Sequence, residues 1–179
     1  MLKKIKTILM IALLSTSSLM TACDDTKAVN DFTANTERTA RYTEDLLKIV
    51  DELHNQQFLN AGQSLATVTA IRKANKFNQE LVTEASKYVT TTADGKKELH
   101  FTEDGKANVV RLATSLKDVG SSLVNDPVLN SLSPETRSRI NLITTGLNAA
   151  VLATYTFATK IKPEKPKPTP TPVLTFRPA

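Results

Sequence analysis

At 179 residues the chain is long enough for one domain with a modest core, and 40% apolar with 23% charged residues is the composition of a folded domain. Five glycines and no tryptophan tell against a loop-rich β-barrel and against an aromatic binding platform. The formal charge of +5 would suit an anionic partner, yet residues 23–159 hold 15 Lys/Arg against 17 Asp/Glu, so the positive charge lies at the two ends and nucleic acid is set aside as a partner.

The N-terminus reads in three parts. Lys3, Lys4 and Lys6 form a positive region, and residues 8–14, "ILMIALL", form an apolar run too short to span a bilayer as a stable helix. Small residues then lead up to Cys23, the single cysteine of the chain. Leu19, Met20, Thr21 and Ala22 followed by Cys23 resemble the lipobox of bacterial lipoproteins, with methionine where that family most often has leucine. The resemblance spans about 23 residues and implies processing rather than activity. It makes 1–22 a signal peptide, 19–22 the signal-peptidase recognition site and Cys23 the first mature residue, carrying fatty acyl chains of the palmitate kind on its sulfur and amino group. The membrane would then be the first partner, held by roughly 0.8 kcal/mol per buried methylene. An unlipidated, exported thiol with no partner cysteine would be a chemical liability. Asp24 and Asp25 resemble the sorting residues that retain such proteins in the inner membrane of enteric bacteria.

Residues 23–30 are expected to be the lipidated cysteine and a polar tether, with "DDTKAVN" reaching at most about 25 Å when extended. A helical bundle domain is expected over 31–162. Its first helix, over 31–56, places Thr39, Tyr42, Leu46, Ile49 or Val50, and Leu53 on one face, with Glu44 and Lys48 paired outside. After a break near "NQQFLNAG", a second helix over 60–90 carries Ala61, Leu65, Val68, Ile71, Ala74, Phe77, Leu81, Ala85 and Tyr88 at helical spacing. The threonines at 90–92, the Asp94-Gly95 pair and the alternation of Leu99 and Phe101 fit a short hairpin and a plain loop equally well. Thr102 is a good N-cap for a third helix reaching about Val119, where Gly120 could close it in a left-handed cap.

Pro127 breaks the following segment. Ser133, Pro134 and Glu135 start the last helix, as cap, first helical residue and first-turn acid. From Ile140 to Thr159 that helix has no charge; by length it could span a bilayer, but its threonines and asparagines dilute it, and burial in a bundle is the reading its composition favours. Residues 163–179 form a proline-rich tail. Five prolines in "PEKPKPTPTP" impose polyproline II over about 30 Å before the apolar "VLTF". This tail serves as a spacer or as a docking arm for another envelope protein.

Chemistry-bearing residues are few. His54 ends the first helix and His100 sits in the hairpin region, neither with a second imidazole or a cysteine at metal-ligand spacing, so no metal and no cofactor is expected. No G-x-S-x-G, P-loop, dinucleotide fingerprint or calcium loop occurs. The expected fold class is all-α, an antiparallel bundle of about four helices. The expected function is that of a non-enzymatic, membrane-anchored envelope lipoprotein that binds a partner, through the 163–179 tail or the bundle surface, or plays a structural part. Two alternatives stand beside it: an immunity or superinfection-exclusion lipoprotein of prophage or plasmid type, and a hydrolase or metal-dependent enzyme built around His100.

Overall fold

In the computed structural model the backbone is described over residues 2–164 and the side chains over 25–164. Cys23, Asp24 and the recognition residues 19–22 therefore lie outside the described side chains, and residues 165–179 of the tail outside the described chain.

Four long helices make the body: α1 (Leu2–Asn55), α2 (Ala61–Ser86), α3 (Glu103–Val124) and α5 (Pro134–Lys160), with a one-turn α4 (Pro127–Asn130) before the last. Strands β1 (Val89–Thr91) and β2 (Lys97–Leu99) form an antiparallel hairpin between α2 and α3, so the sequence's open choice between hairpin and loop resolves as a hairpin. The helices form a ring in which α1 and α3 each pack on α2 and α5. Two pairs fix the antiparallel direction of α1 and α5, and the short connections turn the chain back between successive long helices. Phe32 meets Phe157 at one end of the α1–α5 contact, while Glu52 meets Arg139 at the other. Asn78 reaches the Thr36 carbonyl between α2 and α1, and Lys117 lies over the Tyr155 ring between α3 and α5. The result is an up-down-up-down bundle with short connections.

Leucines and isoleucines from every long helix fill the core, among them Leu46, Ile71, Leu81, Leu116, Ile140 and Leu147, each contributing about 1.5–3 kcal/mol through burial. Threonine completes the inner faces of α1 and α5. Thr36, Thr39, Thr43, Thr144 and Thr154 are buried, and each hydroxyl donates to a carbonyl three or four residues upstream in its own helix. A buried threonine so bonded leaves no polar group unmet. The uncharged run of α5 is thus half core: Ile140, Thr144, Leu147, Val151, Thr154 and Ala158 point in, while Leu142, Thr145, Ala149 and Thr156 point out. Among the described residues no helix is long and apolar enough to cross a membrane.

Several expectations are corrected. The segment read as an extended tether is helical from Asp25 onward, because Val29 and Phe32 continue the buried face of α1 at helical spacing with Thr36. Helix α3 runs to Val124 rather than Val119, since Leu123 must reach the core. Gly120 is therefore no left-handed cap; it sits inside the helix, where the Val151 side chain packs over its backbone. On α2, Leu65 is exposed and Thr67 takes the inward place, its hydroxyl directed at the Asp126 carboxylate. Ser133 occupies the N-cap of α5 but its hydroxyl donates to Thr136 rather than capping the backbone.

The turn out of α1 is closed by two backbone bonds, Phe58 N–H to the Leu53 carbonyl (2.9 Å) and Gln57 N–H to the His54 carbonyl (3.0 Å). This is the double closure that normally places glycine in the left-handed region. Here Gln57 takes it, with φ 61°. A side chain in that conformation costs about 1–2 kcal/mol, partly offset by the greater freedom glycine would give the unfolded chain. Gln57→Gly is expected to stabilise the protein by about 0.5–1 kcal/mol, read as a rise in the urea midpoint at unchanged m-value. A lower midpoint would contradict this reading of the turn. Asn60 then caps α2 through a reciprocal capping box with Gln63, at 2.9 and 3.1 Å.

Candidate functional site

Three parts of the chain that are remote in sequence meet at one end of the bundle, around the hairpin. The turn between its strands owes its shape to Gly95, at φ 79°, and to Asp94, whose carboxyl is held down to about 2 by hydrogen bonds from the Lys96 ammonium and the Thr92 hydroxyl. Asp94-Gly95 is thus turn chemistry satisfied by its own neighbours.

The start of α1 is tied to β2. Lys97 N–H donates to the Thr26 hydroxyl at 2.8 Å, the Thr26 hydroxyl lies 3.2 Å from the Lys97 carbonyl, and the Lys97 ammonium donates to the Asn30 amide oxygen at 2.9 Å. Leu99 N–H points to the Asp25 carboxylate at 3.4 Å. Residues just beyond Cys23 therefore serve as the edge partner of the hairpin.

Phe101 anchors the site from beneath. It is fully buried, and its ring stacks on Tyr88 with centroids 4.7 Å apart. Tyr88 in turn lies across Gly105 in the first turn of α3, where an added Cβ would come within 2.3 Å of the ring. Glycine at 105 is what lets that ring lie flat. Thr102 caps the same helix as expected, accepting from Gly105 N–H at 3.0 Å.

The third part is the segment leaving α5. Ile161 is buried, and Glu164 N–H donates to the Phe101 carbonyl at 2.8 Å. The Glu164 carboxylate then meets His100 Nδ1 at 2.6 Å, while Glu98 lies 3.3 Å from His100 Nε2. The hydrogen bond to Glu164, with Glu98 adding in the same sense, raises the His100 pKa above its ordinary 6.5, against a smaller opposing effect of burial. The imidazole is half-exposed and lies between two carboxylates.

Of the residues the sequence singled out, the structure brings Asp25, Asp94 and His100 into or beside this end, and leaves His54 apart. His54 is exposed near the opposite end, with Nδ1 3.2 Å from the Leu59 carbonyl in the α1–α2 turn. Sequence reasoning missed Thr26, Asn30, Lys97 and Glu164. Glu164 reads as one more charge in a proline-rich tail, and only its solitary position among lysines sets it apart. Among the described residues no group of three His, Cys, Asp or Glu side chains is placed to hold a metal ion. Among the described residues, one shallow, open depression runs along the outer face of α5 between Glu135 and Thr145, and another lies between α2 and α3 near Lys76 and Arg111. Compared with known protein families, with curated proteins and with solved structures, the chain matches none.

Proposed function

We propose that this protein is an envelope lipoprotein, attached to a membrane through acyl chains on Cys23, whose helical body binds a protein partner rather than turning over a substrate. The observation that carries the reading is the sequence Leu19–Cys23, which is followed from Asp25 onward by the part of α1 that is tied to the hairpin. Only Asp24 separates Cys23 from Asp25, so with an anchor at Cys23 the hairpin end would lie against the headgroups. The thirty helical steps from Asp25 to Asn55, at about 1.5 Å each, then carry the opposite end about 45 Å away from the membrane. That far end bears Phe58, Leu65 and Leu142, the three most exposed large apolar side chains among the described residues. Apolar groups grouped at one end favour a binding role for the bundle surface. The tail 163–179 is the second candidate for partner contact, and it departs from the membrane-facing end.

The test is photo-crosslinking in living cells, with a photoreactive residue at Leu142 in one strain and at Val173 in another. A discrete adduct at Leu142 that survives truncation after Glu164 places the partner on the bundle. An adduct at Val173 alone places it on the tail. No adduct from either position would overturn the binding role.

A further inference from the structure

Glu164 follows Pro163 at the root of the proline-rich tail, so whatever holds it holds that root to the body. Two contacts do so: its N–H on the Phe101 carbonyl, and its carboxylate on His100. We propose that His100 is a pH-operated latch on the root of the C-terminal tail, closed when the imidazole is protonated and open when it is neutral.

The geometry makes this a switch rather than a static ion pair. Both ring nitrogens face carboxylates, Nδ1 toward Glu164 and Nε2 toward Glu98. An imidazolium donates from both nitrogens and satisfies both acids at once; a neutral imidazole has one N–H and can serve only one. Deprotonation therefore removes a charge-assisted hydrogen bond and leaves two carboxylates on either side of an uncharged ring. Among the described residues, no other ion pair reaches His100 or Glu164. From α1, Asp25 is directed to the Leu99 N–H; on β2, Lys97 is taken by Asn30; between α2 and β1, the Tyr88 carbonyl accepts from His100 N–H. On the tail segment itself, Lys162 is exposed.

The sign follows from the raised pKa of the folded state. The stabilisation of the closed root is complete below about 6.5, the unfolded value, and is lost as pH rises through the higher folded value. This range is one in which histidine is the usual sensor. The latch depends only on residues 98–101 and 164, and it stands whether or not Cys23 carries lipid.

The test uses the full chain in detergent micelles, carrying Cys23→Ser and Thr169→Cys with a nitroxide label on the new thiol. Label mobility is followed from about pH 5 to about pH 8 alongside the imidazole resonances of His100. The expected result is a several-fold gain in mobility as pH rises, with a midpoint that coincides with His100 titration. In Glu164→Gln, an exposed change that leaves the core untouched, the label is expected to be mobile throughout and the His100 midpoint to move down. Mobility that does not change with pH, or a transition that persists unaltered in Glu164→Gln, would overturn the latch.

Discussion

Replacing Phe101 by alanine is expected to destabilise the fold by about 3–5 kcal/mol, the cost of vacating a buried aromatic site. Phe101 has no exposure, lies under the hairpin, and stacks on Tyr88, which itself is held across Gly105. Its ring therefore joins the end of α2, the hairpin and the start of α3, and its backbone carbonyl receives the segment that leaves α5. Because those elements close the bundle at one end, the ring cannot be lost without a cavity that several of them would have to collapse into. Thermal unfolding followed by circular dichroism is expected to fall by roughly 10 °C or more. A loss under about 1 kcal/mol would contradict the packing described for this end, since surface changes are of that size.

The second large effect separates two leucines of one helix. Leu147 is fully buried, while Leu142, five positions earlier, is 76% exposed. Leu147→Ala is expected to cost about 2–5 kcal/mol, and Leu142→Ala to lie within about 0.5 kcal/mol of the parent. The pair tests which face of α5 is turned to the core, independently of any assay for function. Equal losses at both positions would mean that the outer face of α5 is covered in the folded protein, and the ring of four helices would need another layer.

The leucine pair also shows what the sequence does and does not disclose. Helical periodicity places Leu46, Ile71, Leu81 and Leu116 in the core correctly, because large aliphatic side chains at spacing of three and four have nowhere else to go. Local chemistry is equally legible: Thr102 caps α3, Asp94-Gly95 makes the turn, and Pro134 opens α5. Periodicity fails where the polar and apolar alphabets overlap. Threonine counts as dilution in a hydropathy reading, yet Thr39 and Thr154 are wholly buried, because a helix carbonyl satisfies the hydroxyl. That overlap is why the uncharged stretch of α5 resembles a weak membrane span and proves to be one wall of a bundle. Leu65 fails in the opposite sense. It fits the stripe by spacing, but the inward position is taken two residues later by Thr67, where α2 approaches Asp126.

The candidate site was the least legible part. His100 is visible as a rare residue, but its partner Glu164 is 64 positions away and sits in a stretch whose composition speaks only of extended structure. The ties of Thr26 and Asn30 to Lys97 likewise span about seventy residues and depend on a register that only packing of the whole bundle sets. A polar segment such as 24–30 reads as a tether because its own side chains give little reason to fold; Val29 alone hints that the helix continues. Contacts of this kind follow from topology, and topology follows from how the four amphipathic faces close on one another.

The measurement that bears most directly on the proposed anchoring is the intact mass of the mature protein extracted from bacterial membranes, followed by the mass of its N-terminal peptide. The expected result is a chain beginning at Cys23 with a diacylglyceryl group on sulfur, so that Asp25 and the hairpin lie beside the bilayer. A chain that retains residues 1–22, or one that begins at an unmodified residue, would contradict the lipid anchor and with it the orientation of the bundle.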